Sequence, residues 1–180
     1  MNQPLEMLLG QLLRQHNLKL ATAESCTGGL IADRITDVPG SSDYFLCGFV
    51  SYAYEAKVAS LGVSWDTLKA HGAVSRETVL EMAHGARRAL GADLAISVSG
   101  IAGPGGGLPE KPVGTTWIGL VTPDGERAEV FYWQGNRREN KQQSAEAALN
   151  MLIEYLQNNA EEFLDGRQTD QQTRHSANTG

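Results

Sequence analysis

The sequence predicts an α/β fold, in which a single domain forms a three-layer α/β/α sandwich around a mixed sheet. Segments with helical spacing of apolar residues alternate with short strand-like segments, an order typical of sheets that helices cover on both faces. The 180 residues are enough to bury one substantial core. Hydrophobic residues make up 41% and charged residues 20%, the balance of an ordinary globular domain.

Helices are predicted where apolar residues recur every three or four positions and capping residues mark the ends. Their ranges are 5–16, 26–35, 55–62, 75–90 and 137–163. Strands are predicted from short apolar, aromatic or β-branched runs over 18–23, 45–54, 92–99, 114–122 and 128–133. The domain is assigned to residues 1–165. The polar segment 166–180 buries too little apolar surface to offset its ordering entropy, so we expect a disordered tail.

The charge of the chain narrows its classes of partner. A formal net charge of -6 argues against a general nucleic-acid binder, whose surface is normally basic. No run of about 18 apolar residues is present, so neither a membrane span nor a membrane partner is expected. The first residues lack the regions of a signal peptide, and Cys26 and Cys47 have no disulfide-framework spacing. A reducing cytoplasm is therefore the expected location.

Several common catalytic and cofactor motifs are missing from the sequence. The glycine-rich segment 103–108 has Leu108 where the dinucleotide-binding pattern requires glycine, and no Walker-type phosphate loop occurs. The four histidines follow no metal-ligand spacing, so neither a metal nor a cofactor is expected. No Gly-x-Ser-x-Gly elbow is present, so a histidine-dependent hydrolase is not indicated.

Ser25 lies where the strand predicted over 18–23 gives way to a helix. Side chains at such a junction project over the edge of the sheet where α/β proteins usually bind ligands. The helix N-terminus would offer N–H groups to an anion, and Gly28 and Gly29 would let a ligand approach the backbone. Ser25 is therefore a candidate nucleophile. The alternative, that Ser25 or Thr27 merely caps the helix, is about equally well supported by the spacing.

Lys57 stands near the start of the helix predicted over 55–62, where the helix dipole favours acidic residues. A lysine whose pKa is lowered by burial or by a cationic neighbour can accept a serine proton, and a tyrosine hydroxyl can relay or orient it. Lysine replaces histidine in this way in some serine hydrolases. An ordinary surface lysine is the alternative, and from the residues alone it is the better supported one.

Two further segments hold candidate binding residues. Ser99 and Gly100 end a strand that is predicted to be buried and lead into the glycine-rich loop 100–112, a common way to form a pocket rim or lid. Asn136 is a good helix cap, and Arg137 beside it is suited to hold a phosphate at the helix N-terminus. A solvated arginine is an equally good interpretation of Arg137.

Six segments in order resemble one known family. They are 22–29 (TAESCTGG), 39–42 (PGSS), 52–57 (YAYEAK), 71–75 (HGAVS), 99–104 (SGIAGP) and 111–115 (KPVGT). The pattern is similar to that of the C-terminal domain family of the CinA competence/damage-inducible proteins, whose stand-alone members include nicotinamide mononucleotide amidohydrolases. The resemblance covers residues 5 to 160 approximately.

The resemblance implies a metal-free deamidation of nicotinamide mononucleotide to nicotinic acid mononucleotide and ammonia, in pyridine nucleotide recycling. Carried over by motif, Ser25 is the nucleophile, Lys57 is its base and Tyr52 assists proton movement. Ser42, in the Gly-Ser-Ser loop, and Ser99 would line the substrate pocket.

The same resemblance supplies the remaining expectations. Arg137 would hold the nucleotide phosphate, and backbone N–H groups near Ser25 or Gly100 would form the oxyanion hole. Asn136 stands where many relatives have aspartate, which affects the geometry of the phosphate site rather than the chemistry. A homodimer or larger assembly is expected. The nucleotide-processing N-terminal domain of full-length members has no counterpart in the sequence, so its pyrophosphatase activity is not expected.

Two other functions stay open at this point. A non-catalytic nucleotide-binding regulatory module, linked to competence or DNA damage, would keep the pocket without turnover. The joint presence of Ser25, Tyr52 and Lys57 counts against it. A thiol enzyme that uses Cys26 would be inactivated by alkylating reagents, although burial is the commoner fate of a lone thiol.

Overall fold

One mixed sheet of five strands runs through the part of the chain that the structure describes. The computed structural model describes residues 3–159, with the elements α1 Leu5–His16, β1 Leu20–Glu24, α2 Leu30–Thr36, β2 Phe45–Val50, α3 Tyr54–Leu61, α4 Trp65–His71, α5 Arg76–Leu90, β3 Leu94–Gly100, β4 Thr115–Thr122, β5 Gly125–Tyr132 and α6 Arg137–Asn158. The strand order is β2-β1-β3-β4-β5. β1 runs parallel to β2 and β3, and β4 runs antiparallel to β3 and β5, which confirms the predicted mixed sheet.

Helices cover both faces of the sheet, and each face has its own apolar core. On one face α1, α2 and α6 pack around residues such as Leu9 and Leu149. On the other face α3, α4 and α5 pack around residues such as Leu68 and Met82. Full burial of a side chain of this size stabilises the fold by about 1.5–3 kcal/mol. The predicted three-layer sandwich is therefore confirmed.

Capping residues set the ends of the helices that the sequence predicts best. α1 coincides with the predicted range 5–16, and the chain leaves it at Asn17 with a left-handed φ of 52°. α5 begins after Ser75, whose side chain accepts a hydrogen bond from Thr78 N–H at 3.2 Å. Leu90 continues the apolar spacing of Val79, Met82, Ala83 and Ala86, yet it is 60% exposed, because it is the last residue of α5.

The prediction of a helix that starts at residue 26 is wrong, because α2 begins at Leu30. Residues 25–29 form a bend and turn instead. Gly28 and Gly29 take φ values of 66° and 99°, which residues with a side chain adopt only at a cost. The helix therefore starts after the glycine pair.

The strand predicted over 45–54 is too long. β2 ends at Val50, and Ser51 N–H then makes one more hydrogen bond, to the last residue of β1 at 2.9 Å. Tyr54 already opens α3. Tyr52 and Tyr54 are both exposed, so the aromatic side chains that favoured a strand do not pack on the sheet.

Helix α4 was not predicted. Its end signals are nevertheless present in the sequence, because the Ser64 side chain accepts from Asp66 N–H at 3.1 Å and Gly72 follows the last helical residue. With only seven residues, α4 is too short to show a clear helical period.

Helix α6 carries the cap that the sequence predicts for it. The Asn136 side chain accepts from two N–H groups of the first turn, and Glu139 returns the contact to Asn136 N–H at 2.7 Å, which completes a capping box. The predicted helix end at residue 163 and the predicted tail 166–180 lie outside the described residues. Within 3–159, no helix has the length and apolar character needed to cross a bilayer.

Candidate active site

Ser25 lies at the edge of the sheet where the parallel strands end. It follows the last residue of β1, and its N–H donates to Val98 O on β3 at 2.9 Å. Ser25 is 8% exposed, so a small part of it is accessible. Ser25 and Thr27 do not cap α2, since Gly29 occupies the N-cap position and no side chain makes a capping hydrogen bond there. The capping alternative is therefore wrong.

Glu24 fixes the turn that carries Ser25. Its carboxylate is fully buried and accepts from the N–H groups of Gly29 at 3.0 Å, Ile31 at 3.1 Å and Ala32 at 2.9 Å. The N–H groups of a first helical turn have no intrahelical partner. The expectation that these groups receive a ligand anion is wrong, because Glu24 already binds them.

Lys57 lies on α3, the helix that follows β2, and its side chain contacts Ser25 at the end of β1. Its side chain is fully buried, and Nζ donates to Ser25 Oγ at 3.0 Å. Nζ also donates to the carbonyls of Ser51 at 2.7 Å and Tyr52 at 3.4 Å. Burial lowers the pKa of Lys57 to about 8, because the ammonium form loses its hydration. The alternative of an ordinary surface lysine is therefore wrong.

The two carbonyls orient the amine of Lys57. A neutral amine has two N–H groups and one lone pair. When the N–H groups donate to the carbonyls of Ser51 and Tyr52, the lone pair faces Ser25 Oγ, where it can accept the hydroxyl proton. The arrangement has the geometry of a serine with an adjacent base.

The hydroxyl of Tyr52 makes no hydrogen bond to Ser25 or Lys57 in the described part of the chain. Tyr52 is 58% exposed, and its hydroxyl accepts from Arg137 Nη2 at 2.7 Å. Arg137 Nη1 donates in turn to Gly103 O at 2.7 Å. The structure brings Tyr52 to Lys57 only through the tyrosine carbonyl, and it joins the tyrosine hydroxyl to Arg137, another predicted site residue.

A pocket of about 770 Å³ opens beside this bridge, between the glycine-rich loop and the start of α6. Its lining consists of Leu30, Ala102, Gly103, Pro104, Val113, Gly135, Asn136, Arg137, Arg138, Lys141 and Gln142. Three of these residues are cationic and none is a carboxylate. Ser25 is not among them, so the pocket adjoins the turn 25–29 rather than enclosing the serine.

Lys141 is a site residue that was not predicted. It follows Arg137 by four positions on α6, and the two therefore share a helix face. A Cβ on Gly28 would lie 3.6 Å from Lys141 Nζ, so this amine stands beside the turn that carries Ser25. The spacing of the two cations was the available signal, but charged pairs at this spacing are common on exposed helices.

Ser99 lies on the same sheet face as Ser25. Glu24 pairs with Val98 in the parallel ladder, so Ser99 occupies the next position beside Ser25. Ser99 is buried. The strand register thus places this predicted pocket residue beside the position of the nucleophile.

Gly100 and Ser42 are placed differently from Ser99. A Cβ on Gly100 would lie 2.5 Å from Thr116 Oγ1 and 2.8 Å from Thr115 O, so packing against β4 accounts for the glycine. Ser42 is exposed in the 3-10 helix Ser41–Asp43 that precedes β2, which is the opposite end of the sheet. Within one chain Ser42 therefore does not meet Ser25.

Cys26 has the environment of a core thiol. It is 6% exposed, and burial raises its pKa to about 12. The thiolate, which is the nucleophilic form, is therefore scarce at neutral pH. The thiol-enzyme alternative has no chemical support in this geometry.

Two buried hydroxyls near the pair were not predicted to matter. Within residues 3–159, the hydroxyls of Thr27 and Ser51 have no hydrogen-bond partner. Buried hydroxyls are usually paired. Thr27 follows the nucleophile by two residues, and the Ser51 carbonyl binds Lys57, so both unpaired hydroxyls belong to segments next to the Ser25–Lys57 pair.

The histidines that the structure describes lie apart from Ser25. His71 faces Glu77 at 3.6 Å, and His84 faces Glu126 at 2.7 Å. In the described part of the chain, no three His, Cys, Asp or Glu side chains cluster as metal ligands would.

Comparison with known proteins places this geometry in a family. The family model described as the CinA C-terminal domain matches residues 2–156. A CinA-like protein of Chloroherpeton thalassium is 53% identical over 159 residues, covering 86% of this chain and 38% of the relative. A CinA-like protein of Desulfosudis oleivorans is 56% identical over 149 residues, covering 82% of this chain and 36% of the relative. The chain thus spans a little over a third of the length of these curated relatives.

Solved structures agree with the sequence comparison. The competence damage-inducible protein A (ComA) of Klebsiella pneumoniae superposes with a TM-score of 0.82 at 34% identity, covering 84% of this chain and 94% of that one. The competence/damage inducible protein CihA of Agrobacterium tumefaciens superposes with a TM-score of 0.78 at 42% identity, covering 87% of this chain and 99% of that one. These solved structures share the fold of this chain.

Proposed function

The chain belongs to the CinA C-terminal domain family, and we propose that it is a serine amidohydrolase that converts nicotinamide mononucleotide to nicotinic acid mononucleotide and ammonia. The observation that carries the proposal is the buried 3.0 Å contact between Lys57 Nζ and Ser25 Oγ. A carboxamide is a weak electrophile, so its hydrolysis needs an activated nucleophile, a proton for the leaving amine and a site for the oxyanion. Ser25 and Lys57 supply the first two.

In the first half of the reaction, neutral Lys57 takes the hydroxyl proton of Ser25 while Oγ bonds to the carboxamide carbon. The lysine ammonium then gives this proton to the amide nitrogen, the C–N bond breaks, and ammonia leaves an ester on Ser25. In the second half, Lys57 takes a proton from water as the water oxygen attacks the ester carbonyl. The proton returns to Ser25 Oγ as the C–O bond breaks and the carboxylic acid leaves.

The N–H groups of Cys26 and Thr27 are the candidates for the oxyanion hole. Ser25 N–H is engaged with Val98 O, and Gly28 N–H is engaged with Ser25 O. Neither Cys26 nor Thr27 donates to a backbone carbonyl in the described part of the chain. Both groups follow the nucleophile directly, as oxyanion-hole donors often do.

The mononucleotide as substrate is supported by two arguments. Residues 22–29 and 52–57 resemble the motifs of a family whose stand-alone members include nicotinamide mononucleotide amidohydrolases, and a pocket with three cations and no carboxylate adjoins the Ser25 turn. A phosphate monoester carries the opposite charge to this pocket. We extend the proposal to pyridine nucleotide recycling in the cytoplasm by a homodimer or larger assembly.

The test is an ammonia-release assay with nicotinamide mononucleotide, a nicotinamide dinucleotide and free nicotinamide as substrates. Wild-type protein should release ammonia from the mononucleotide fastest, and Ser25→Ala should lower the rate by at least about 10³-fold, because the nucleophile is gone. Absence of ammonia from every substrate, or an unchanged rate in Ser25→Ala, would refute the proposal.

A second candidate function is a nucleotide-binding regulatory module without turnover. The observation that favours it is that Ser25 does not line the 770 Å³ pocket, so a ligand can bind there without contact with the nucleophile. Calorimetry that detects tight binding of the mononucleotide, with no ammonia released, would support this candidate over the amidohydrolase.

A further inference from the structure

Arg137, which the family resemblance names as the phosphate ligand, already has two hydrogen-bond partners within the chain. Nη1 donates to Gly103 O and Nη2 donates to the Tyr52 hydroxyl, each at 2.7 Å. These contacts join the glycine-rich loop to the segment before α3. These contacts use two of the five N–H donors of the guanidinium, so a phosphate bound through the remaining donors would have to fit the orientation that the bridge fixes.

Lys141, unlike Arg137, has an amine without a hydrogen-bond partner in the described part of the chain. It lines the same pocket and is partly buried, yet within residues 3–159 its amine makes neither a hydrogen bond nor an ion pair. Its charge acts on the site, since it is one of the groups that lower the pKa of Cys26, against the larger effect of burial. Nζ stands beside Gly28, on the side of the pocket that faces the Ser25 turn.

The surroundings leave this charge without a counter-charge in the pocket. The lining holds no carboxylate. The buried Glu24 carboxylate, on the strand that leads to Ser25, is bound by three N–H groups. At the start of α6, the Asn136 side chain engages the N–H groups of Arg138 and Glu139. Two donors of this helix terminus are therefore used, and the cationic side chains are the stronger donors that remain for an anion.

We propose that Lys141 is the side chain that selects a phosphomonoester in this pocket, and that Arg137 is a positioning residue that holds the Gly103 loop and Tyr52. The proposal rests on the pocket that the proposed amidohydrolase uses, but it concerns binding and not turnover. The phosphate would lie between Lys141 and the exposed Arg138, which lines the same pocket from a position one turn earlier on α6. Lys141 thus sets the specificity for a phosphorylated over an unphosphorylated ligand.

The test compares nicotinamide mononucleotide with nicotinamide riboside, which lacks only the phosphate, by calorimetry on the full chain with Ser25→Ala to prevent turnover. Adding Lys141→Gln should weaken mononucleotide binding by about 10- to 100-fold, the loss of one charge-assisted hydrogen bond. Riboside binding should be unchanged. The proposal would be overturned if both ligands lost affinity equally. It would also be overturned if the Lys141→Gln protein bound the mononucleotide within about twofold of the parent affinity.

Two further variants sharpen the test. Lys69→Gln removes the same charge from an exposed residue of α4 outside the pocket and should leave both affinities unchanged. Arg137→Gln should weaken mononucleotide and riboside alike, because it releases the loop. A loss in Arg137→Gln that is confined to the mononucleotide would show that Arg137 is the phosphate ligand and would overturn the proposal.

The outcome is separable from that of the amidohydrolase. If wild-type protein releases no ammonia but the Lys141-dependent preference for the mononucleotide remains, the proposed activity fails and the phosphate site stands. Inorganic phosphate serves as a second probe, since it should compete with the mononucleotide in the parent and about 10-fold less well in Lys141→Gln. Equal competition in both proteins would overturn the proposal.

Discussion

Lys57 and Lys141 have the same side chain and lie in opposite environments. Lys57 is fully buried, and its Nζ has three oxygen partners, all from the protein. Lys141 is partly exposed and makes no ion pair or hydrogen bond in residues 3–159. Burial makes the first lysine a base by disfavouring its charged form, whereas the amine of the second has no partner among the described residues and is open to a ligand. Chemistry is thus assigned to a buried region around Ser25 and Lys57, and recognition to an exposed region, the pocket that Arg137 and Lys141 line.

The largest expected effect separates these two roles. Lys57→Met removes the base while keeping much of the side-chain volume, so kcat with nicotinamide mononucleotide should fall by about 10²–10⁴-fold. In Lys141→Gln the loss should appear mainly in KM. Steady-state ammonia release over a range of substrate concentrations measures both parameters. A Lys57→Met enzyme with a normal kcat would show that Lys57 is not the base.

The next effect concerns stability and the proton on Lys57. Its pKa is about 8 in the folded chain against 10.5 for an ordinary lysine, so between these values the unfolded state binds more protons. The free energy of unfolding of wild type should therefore rise relative to Lys57→Met by about 3 kcal/mol from pH 7 to pH 11. Below pH 8 the difference should level off. Denaturant unfolding at each pH measures it, and a difference that is constant from pH 7 to pH 11 would contradict the lowered pKa.

Tyr52 gives a smaller effect at the boundary between the two regions. Its hydroxyl contacts Arg137 and not Ser25 or Lys57, so Tyr52→Phe should loosen the bridge to the glycine-rich loop. We expect KM to rise by about 3- to 10-fold, the value of one ordinary hydrogen bond, with kcat nearly unchanged. A fall in kcat without a change in KM would instead support the role in proton movement that the family resemblance implies.

The sheet and most of its helices follow from periodicity and caps, so the elements that carry the buried pair Ser25 and Lys57 were predictable from the sequence. The roles of the pair were not, because the residues alone supported helix capping equally well for Ser25 and an ordinary surface lysine better for Lys57. The family resemblance assigned the chemistry. The start of α2 was misplaced because Glu24 binds the N–H groups of Gly29, Ile31 and Ala32, a contact that no helix pattern reveals.

The exposed region, the pocket that Arg137 and Lys141 line, depends on contacts between segments that are distant in the chain. Arg137 meets Tyr52 across 85 residues and Gly103 across 34, and no local spacing predicts which partners an exposed arginine finds. Lys141 was not predicted for the same reason. Its position in the pocket depends on which segments pack beside α6, and the sequence of α6 does not show this. Ser42 was assigned to the site by motif alone. It lies just before β2, at the end of the sheet opposite to Ser25.

The most direct test of the account is the pH dependence of kcat/KM for nicotinamide mononucleotide. Neutral Lys57 is the reactive form, so kcat/KM should rise about tenfold per pH unit below pH 8 and level off above it, with an apparent pKa of about 8. Measurements above pH 7 keep the phosphate, whose second pKa is about 6, in one form. A profile that is flat from pH 7 to pH 10 would contradict the assignment of Lys57 as the base for Ser25.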